Sequence, residues 1–571
     1  MKTRSTILNA LREQPDIDAL VIGGGINGIG TYRELALQGL RVLLVEKGDY
    51  CSGASAASSH MLHGGIRYLE NGEFRLVREA LHERNRLLKH APHYARPLPT
   101  TIPIFRWFSG LLNAPLKFLG LLNRPSERGA VVIKVGLMLY DWFTGSEQTM
   151  PFHRFRGRQT SLAAFPRLNP AVVCTATYYD ALITMPERLC IDLLVDTDAA
   201  SEQAFALNYA PVVGANADTV TILDEVSGET LAVRPRVVVN AAGPWIDFVN
   251  RALKQQTRFI DGTKGSHIVL DHPELHAATG GSEIFFENSD GRIVLILPYL
   301  SRVLVGTTDI RIGDPDQAAC TDDEIAYMLD LVKKVFPDIH VGRSHIVYQF
   351  SGVRPLPAND EGRTGAISRD HSIKRLEPAD SGLVFPIYSL VGGKWTTFRA
   401  FSEQTADVVL KTLGRERRVS TREMPIGGGR DYPATDERAA WIERLHERTG
   451  LPWERLDTLL ERYGTRAVEV VEFIRQGEDS ALQTLPDYSR RELAYIAQRE
   501  QVIHLDDLLM RRSLIAMLGY LTTAPGCLEE VGAVLGEALD WSEARVKEEI
   551  ERTLMLLEAK HGGVRQQPQV G

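Results

Sequence analysis

The apolar positions of the first 425 residues form runs typical of strands, separated by spacings typical of helices. Residues 16–22 form a short run, apolar after Asp18, that predicts a buried strand, and residues 41–46 predict a second one. Further strands are predicted at 219–223, 236–240, 265–270, 292–297, 303–306 and 383–390. Helices are predicted at about 73–90, 131–143 and 322–336, and one more helix is predicted to end at about 413. Strands interspersed with helices predict an α/β fold.

The pattern changes near residues 425–435. From about 430 to 560 the leucines recur with helical periodicity and charges of opposite sign alternate, which predicts a separate all-helical domain. Pro452 is expected at the first position of one helix and Ser542 at the N-cap of another. The last residues, 561–571, predict a disordered tail.

A glycine fingerprint follows the first predicted strand. Gly23, Gly25 and Gly28 fit the pattern G-x-G-x-x-G, in which one glycine makes a tight turn, one lets a pyrophosphate approach the backbone, and one allows close packing of helix on strand. Glu46 ends the next strand, where a carboxylate accepts hydrogen bonds from ribose hydroxyls. These features predict dinucleotide binding; the alternative is a glycine-rich turn in an ordinary α/β protein.

Composition excludes several classes of function. The chain has 571 residues and a formal net charge of −8, which gives no support for nucleic-acid binding. Its five cysteines are scattered without the spacing of zinc ligands, so we expect neither a metal site nor a disulfide framework. An odd number of dispersed cysteines is typical of proteins in a reducing cytosol, and we expect that compartment here. The first residues contain few apolar side chains and no apolar stretch reaches about 18 residues, so we expect neither a signal peptide nor a membrane-spanning helix.

Three distant segments resemble backbone built to lie against one ligand. They are the fingerprint at 23–28, the strand exit at 240–244 and the stretch Gly392-Gly393-Lys394. The last precedes a predicted helix, whose positive end, with Lys394, would stabilise negative charge on a reduced flavin ring. This arrangement favours FAD, although three ordinary turns in a Rossmann-like fold would give the same residues.

The chain also resembles a known family, the FAD-dependent, quinone-linked glycerol-3-phosphate dehydrogenases. The resemblance covers nearly the whole chain and is carried by residues 22–28, 58–70, 240–245, 264–267, 306–309, 351–356 and 392–397. It implies a Rossmann-like FAD-binding domain, an antiparallel-sheet substrate domain like that of glycine and D-amino-acid oxidases, and a C-terminal all-α cap. It further implies oxidation of sn-glycerol 3-phosphate to dihydroxyacetone phosphate, with electrons passed to ubiquinone or menaquinone at the cytoplasmic face of the membrane.

The expected domains are interleaved along residues 1–425. FAD-binding segments are expected at about 16–70, 217–250 and 383–413, and substrate-binding segments at about 91–216 and 260–380, followed by the helical domain at 430–560. The chain departs from the family at His60, where relatives usually carry lysine, and around residues 181–189, where relatives tend to carry a second acidic pair.

The resemblance assigns the residues of the site. The expected FAD contacts, which are non-covalent, are Gly23, Gly24, Gly25, Asn27, Gly28, Glu46, Lys47, Ser58, Ser59, Ala242, Gly243, Gly392, Gly393, Lys394, Thr396 and Thr397. Arg67 and Arg354 are expected to hold the substrate phosphate, because guanidinium groups match phosphate geometry. Lys394 serves phosphate or flavin, and Tyr68 donates a hydrogen bond to the substrate.

His63 is the expected general base that takes the hydroxyl proton. The alternative is a buried histidine that hydrogen-bonds the flavin or a backbone carbonyl, with Arg354 then assisting alkoxide formation electrostatically. Thr307, Thr308 and His267 are weaker candidates for contact with the substrate, and we expect them to pack in the core.

Residues 98–143 are rich in leucine and aromatic residues beside scattered cations, a composition suited to the membrane interface. We therefore expect a cytoplasmic protein bound peripherally to the inner face of the cell membrane; the alternative is an ordinary buried helical hairpin. Two other functions stay open, an oxidase that uses oxygen and a flavin-binding sensor without turnover. A homodimer also stays open.

Overall fold

The structure is a computed structural model and describes residues 1–65, 74–109, 129–144, 150–288, 292–358, 371–378 and 382–564. Its strands are β1 Asp16–Ile22, β2 Val42–Val45, β3 Met61–Leu62, β4 Ala95–Ile104, β5 Arg154–Gly157, β6 Cys174–Ile183, β7 Ala204–Leu207, β8 Val212–Asn216, β9 Thr219–Asp224, β10 Glu229–Asn240, β11 Ile260–Leu270, β12 Glu283–Glu287, β13 Ile293–Tyr299, β14 Arg302–Gly306, β15 Ile310–Arg311, β16 Ile346–Pro357, β17 Ser372–Leu376 and β18 Ile387–Val391.

The α-helices lie between the strands and after them. They are α1 Arg4–Glu13, α2 Ile26–Leu37, α3 Phe74–His90, α4 Ala130–Thr144, α5 Arg158–Ala164, α6 Pro186–Ala200, α7 Ile246–Ala252, α8 Pro273–Ala278, α9 Asp322–Val335, α10 Phe398–Leu413, α11 Arg438–Thr449, α12 Trp453–Tyr463, α13 Ala467–Ile474, α14 Arg490–Arg499, α15 Leu505–Asp507, α16 Tyr520–Thr523, α17 Cys527–Ala538 and α18 Glu543–His561.

The first sheet has a parallel centre. Its strands run in the order β17–β18–β10–β1–β2–β7, and β9 and β8 extend from β10. The five strands from β18 to β7 are parallel, so their carboxyl ends share one edge, where Ile22 at the end of β1 pairs with Asn240 at the end of β10. Ligands of such sheets bind at this edge. Helices α2, α6 and α10 pack together on one face.

The second sheet is antiparallel apart from the β12–β4 pair. Its strands run in the order β16–β11–β14–β13–β12–β4–β6–β3, with β15 beside β11 and β5 beside β6. Successive side chains of a strand point to opposite faces. In β11 this alternation sends Lys264 and Ser266 to Glu324 of α9, and leaves Gly265 and His267 on the other face.

The C-terminal helices form their own hydrophobic core, made largely of leucine, isoleucine and valine from α11–α18. Ser542 caps α18, as predicted, by accepting a hydrogen bond from the Arg545 amide. Pro452 stands at the N-cap of α12, one position earlier than predicted. The disordered tail was predicted from residue 561, but His561 is the last residue of α18 and donates through Nδ1 to the Gln349 carbonyl. Residues 565–571 lie outside the described part of the chain.

A buried ion cluster joins this helical domain to the first sheet. The carboxylate of Asp49, just after β2, accepts hydrogen bonds from Arg511 Nε at 2.5 Å and Arg512 Nη2 at 2.8 Å. Arg511 also donates to Asp507 at 2.7 Å. Asp49 and Arg512 side chains are completely buried, so the charges compensate one another away from water.

The α/β class, the two sheets of different type and the C-terminal all-α domain confirm the predicted fold. The segment boundaries differ from those predicted. Strand β7, at 204–207, was predicted in the substrate half but pairs with β2 in the first sheet, and β17, at 372–376, pairs there with β18. Conversely, β3 at 61–62 belongs to the second sheet. Each assignment depends on pairing between remote strands, which local hydrophobicity does not encode.

Candidate functional site

The fingerprint turn leads from β1 into α2 as predicted. Gly23 has φ +109°, a conformation that side chains rarely adopt, and a Cβ there would lie 2.7 Å from the Ala241 carbonyl oxygen. A Cβ on Gly28 would lie 1.9 Å from the Gly23 carbonyl oxygen, so helix and turn touch. A Cβ on Gly25 would meet only Ser55 Oγ, at 3.2 Å. The backbone at Gly25 is therefore the approachable part of the turn.

Glu46 supports this turn from β2. Its Oε2 accepts the Gly24 N–H at 2.6 Å and its Oε1 accepts the Gly48 N–H at 2.9 Å. Burial raises the pKa of the Glu46 carboxyl, while the two backbone donors oppose this shift. Each carboxylate oxygen keeps a further acceptor position, so the predicted bond from a ribose hydroxyl is compatible with the geometry.

The three remote segments meet at the edge of the first sheet. Asn27 Nδ2 contacts the Gly392 carbonyl oxygen at 3.4 Å, and a Cβ on Gly393 would lie 2.3 Å from the same amide nitrogen. The 240–244 exit lies against Gly23 from the other side. The fingerprint, the strand exit and the 392–394 loop thus form one backbone-lined cradle, as the sequence predicted.

The loop at residues 51–60 joins this cradle to the second sheet. Ser55 Oγ accepts the Ile26 N–H at 3.0 Å, and Trp395 Nε1 donates to the Ser55 carbonyl at 2.9 Å. Farther along, Ala57 contacts Gly352 of β16, and Ser59 Oγ is hydrogen-bonded to His267 Nε2 at 2.9 Å. Ser58 and Ser59 were expected to contact FAD, whereas Ser55 was not, because its only signal in the sequence is its place in a small-residue loop.

Arg354 lies on the face of the second sheet that this loop covers. Its Nη2 donates to Thr307 Oγ1 at 2.9 Å and to the Thr308 carbonyl at 3.2 Å, and its Nη1 lies 3.4 Å from Asp309 Oδ1. A Cβ on Gly265 would lie 2.2 Å from Nη2, so only glycine leaves room for the guanidinium group. The side chain keeps 29% of its surface exposed. A rigidly held cation therefore borders the cleft.

His63 lies directly after β3, and its peptide is hydrogen-bonded both to β6 and to the segment that follows β18. Thr396 Oγ1 donates to the His63 carbonyl at 3.4 Å, and the next amide, Gly64 N–H, donates to Asp180 Oδ1 at 2.8 Å. His63 and Thr396 therefore come together from segments more than 300 residues apart. Asp180 was not selected from the sequence, because its role depends on the pairing of β3 with β6.

Two neutral histidines lie beside this loop. His60 Nδ1 donates to the Ile183 carbonyl at 2.9 Å, which leaves Nε2 as an acceptor. Burial lowers the pKa of His60 to about 4. Burial, with Arg354 and then His60 nearby, lowers the pKa of His267 to about 3. Both imidazole rings are therefore uncharged at neutral pH.

These histidines make folding pH-dependent. Their pKa values in the folded protein lie below the ordinary value of 6.5, so their stabilising effect is complete above about pH 6.5 and is lost as the pH falls toward 4. Each contributes up to about 1.4 kcal/mol per pH unit to the slope. Denaturant unfolding at about pH 7 and about pH 5 measures it. His60→Gln should flatten the slope and exposed His340→Gln should not; equal slopes in both variants would contradict the assignment.

The other residues that were predicted to bind FAD or substrate lie at the border of the cradle or outside the described residues. Arg67 and Tyr68 lie outside the described residues. Lys47 lies over the Trp245 ring, 4.2 Å from its centroid, and pairs with Asp316 at 2.8 Å. Lys394 is half-buried in the cradle. Ser58 Oγ accepts the His60 N–H at 3.3 Å.

The cradle fits the pyrophosphate and ring system of FAD. Approachable backbone at Gly25 lies at the N-terminus of α2, where the helix dipole favours an anion. Within the described part of the chain, Asn27 Oδ1 and Thr397 Oγ1 are buried without hydrogen-bond partners, and both belong to segments that form the cradle. Buried polar atoms of this kind normally have partners, so a polar ligand at this place completes the site.

Comparison with known proteins agrees with this geometry. The family described as FAD dependent oxidoreductase matches residues 18–385, and the C-terminal domain of alpha-glycerophosphate oxidase matches residues 419–546. A glycerol-3-phosphate dehydrogenase from Synechocystis is 34% identical, with 95% of this chain and 97% of that protein aligned. One from Pseudomonas aeruginosa is 31% identical, with 88% and 92% aligned.

Solved structures show the same fold. The glycerol-3-phosphate dehydrogenase from Bacillus halodurans, solved with FAD, matches with a TM-score of 0.75 at 22% identity and covers 100% of this chain and 99% of its own. The L-alpha-glycerophosphate oxidase from Mycoplasma pneumoniae matches 72% of this chain and 98% of its own, with a TM-score of 0.50 at 17% identity. On the evidence of the full-length relatives and the matching domain families, the chain belongs to the FAD-dependent glycerol-3-phosphate dehydrogenases.

Proposed function

We propose that this protein oxidises sn-glycerol 3-phosphate to dihydroxyacetone phosphate with non-covalently bound FAD and passes the electrons to a membrane quinone. The observation that carries the proposal is the convergence of three backbone segments beside Arg354. The cradle provides for a dinucleotide, and the guanidinium group provides for a phosphate-bearing substrate at its edge. The names of the full-length relatives support the choice of substrate.

Each group has a defined task. Bound FAD supplies the acceptor for the hydride that leaves C2 of the substrate. Arg354 binds the phosphate dianion, with Arg67 and Lys394 as further cations and Tyr68 as a hydrogen-bond donor. A substrate fixed at its phosphate has one orientation of C2, which gives the proximity that the reaction requires. His63 accepts the hydroxyl proton as the hydride leaves.

The direct test is spectroscopic. The purified protein should be yellow and should lose its flavin absorption anaerobically when glycerol 3-phosphate is added, but not when glycerol is added. The bleached protein should recover its colour with a soluble quinone faster than with air. Faster recovery with air and stoichiometric peroxide would replace quinone by oxygen as the acceptor, and a colourless protein that takes up no FAD would refute the proposal.

An exposed apolar face supports peripheral contact with a membrane. On α4 the side chains of Val131, Val135, Met138, Leu139 and Trp142 recur at helical spacing and are 37–76% exposed. The opposite face of α4, with Leu137 and Tyr140, is buried against α3 and β6. Trp107 and Phe108 are also exposed, and Trp107 lies beside the start of α4, where its carbonyl oxygen accepts the Val131 N–H at 3.3 Å. Apolar side chains of this kind insert into the interfacial layer of a bilayer; residues 110–128 of the predicted contact region lie outside the described residues.

No described helix is long and apolar enough to span a bilayer. Leu139→Glu should reduce sedimentation with vesicles of anionic bacterial lipid by about tenfold, since a buried charge opposes insertion. Met555→Glu is the matched control, because Met555 is also an exposed apolar residue, on α18, with 67% of its surface exposed against 48% for Leu139. Unchanged sedimentation of Leu139→Glu, or an equal loss in both variants, would refute docking through α4.

A further inference from the structure

The peptide between His63 and Gly64 is held at both of its polar atoms. The carbonyl oxygen accepts from Thr396 Oγ1, and the amide N–H donates to Asp180 Oδ1 at 2.8 Å. Because a peptide unit is planar, these two bonds together fix the rotation of the whole unit. They therefore fix the direction in which the His63 side chain leaves the backbone and the course of the chain into Gly65, which has φ +81°.

Asp180 is itself held rigidly. It lies in β6, where its backbone pairs with Leu98 of β4, and its side chain is 1% exposed. The oxygen that accepts from Gly64 also accepts from Arg84 Nη1 at 2.9 Å and from the Tyr140 hydroxyl at 3.2 Å. Arg84 Nη1 in turn donates to the Tyr140 hydroxyl at 2.9 Å. Helices α3 and α4 thus each provide one donor that aims the carboxylate at the loop.

The strand register explains why a side chain, and not the backbone of β6, accepts the hydrogen bond from the Gly64 amide. Met61 pairs with Leu182 and Leu62 with Ala181, so the next residue, His63, would come opposite Asp180. The chain leaves the sheet at this point, and the Asp180 carboxylate binds an amide that no longer reaches the neighbouring backbone. A Cβ on Gly64 would lie 2.1 Å from the Tyr140 oxygen and 2.5 Å from Leu81. The loop is therefore pressed against the residues that orient it.

We propose that Asp180, oriented by Arg84 and Tyr140, is a positioning residue of the oxidation reaction that sets the angle at which His63 meets the substrate hydroxyl. The inference rests on the proposed role of His63 as base. Proton transfer needs a hydrogen-bonding geometry between base and hydroxyl, and a small rotation of the His63 peptide displaces the imidazole from it. The buried carboxylate acts through the backbone and does not touch the substrate.

The test compares two tyrosine variants that lose only a hydroxyl group. Tyr140→Phe removes one donor to Asp180, whereas the hydroxyl of neighbouring Tyr178, 6.1 Å away between ring centroids, has no hydrogen bond among the described residues. The limiting rate of anaerobic flavin bleaching by glycerol 3-phosphate should fall about tenfold in Tyr140→Phe and less than about twofold in Tyr178→Phe. FAD content and melting temperature should stay close to those of the parent in both.

Asp180→Asn extends the test to the pH profile. In the parent the limiting rate should rise with pH and level off once the base is deprotonated. In Asp180→Asn it should be about a hundredfold lower and should keep rising with pH, since hydroxide replaces a misaligned base. A purely structural role for Asp180 would lower the yield of folded protein without changing the shape of the profile. If this variant does not fold, Tyr140→Phe and its pH profile decide.

His63→Asn separates the inference from the function on which it rests. A slow His63→Asn with parental rates in Tyr140→Phe and Asp180→Asn would overturn only the positioning role. A His63→Asn rate within a few-fold of the parent would remove His63 as base, and with it this inference. Slow bleaching in all three variants with a parental Tyr178→Phe is the result we expect.

Discussion

Arg354→Met should lower kcat/KM for glycerol 3-phosphate by about a thousandfold, roughly 4 kcal/mol of transition-state binding. Methionine keeps most of the apolar stem but removes the fork that Thr307 and Thr308 orient toward the cleft. The loss should be concentrated on the substrate that carries a phosphate. Steady-state rates with glycerol 3-phosphate and with glycerol, using a soluble electron acceptor, measure the difference.

Arg343→Met is the matched control for this experiment. Arg343 pairs with Asp322 at the surface, where the two side chains are 47% and 82% exposed, so its loss should change kcat/KM by less than about twofold. A second comparison uses glycerol as the substrate together with phosphite, a free dianion that can bind where the phosphate group of glycerol 3-phosphate would bind. The parent should respond to phosphite and Arg354→Met should not. Equal losses with both substrates in Arg354→Met would contradict a phosphate-binding role.

Asp49→Asn should lower the free energy of unfolding by about 3–5 kcal/mol, because it leaves a fully buried arginine without its carboxylate. The substitution keeps the size of the side chain and removes only the charge that Arg512 and Arg511 face. Burial raises the pKa of Asp49, but the two arginines outweigh it and hold that pKa well below its usual range. The carboxylate is therefore charged throughout the neutral pH range, and urea unfolding of the FAD-loaded protein measures its loss.

Asp16→Asn is the control for charge removal itself. Asp16 pairs with Arg234 at 2.7 Å at the surface of the same sheet, with side chains that are 63% and 43% exposed. Exposed pairs of this kind contribute little to stability because solvent screens them, so Asp16→Asn should leave the free energy of unfolding nearly unchanged. Similar losses for Asp49→Asn and Asp16→Asn would show that the buried cluster does not join the helical domain to the first sheet in the way described.

Features encoded over short stretches of sequence were predictable. The order strand, glycine turn, helix and acid at residues 16–46 follows from hydrophobic period and from what glycine permits, and the structure places Gly23, Gly28 and Glu46 as expected. The predicted helices near 73–90 and 322–336 match α3 and α9 within a few residues. Here local pattern and tertiary structure agree.

Features that depend on pairing between remote strands were not predictable in this way. The sequence of β7 predicts a buried strand but does not indicate the sheet to which the strand belongs. Only its pairing with β2 places it in the first sheet. In the sequence, Asp180 is a single acid in an apolar strand. Its contact with the Gly64 amide becomes evident only when β3 is seen to pair with β6. Arg354 was found through its motif, but the space that Gly265 leaves for it depends on the β11–β16 register.

The order of strands in the first sheet has a consequence for synthesis of the protein. Strand β1 pairs with β10 and β10 with β18, so the parallel centre spans residues 16 to 391. Contacts between such distant residues close slowly. A nascent chain leaving the ribosome therefore carries an incomplete sheet edge until residue 391 has emerged. Fragments that stop before this residue should depend on chaperones and should aggregate when expressed alone, whereas a fragment ending after α10 contains every strand of the cradle.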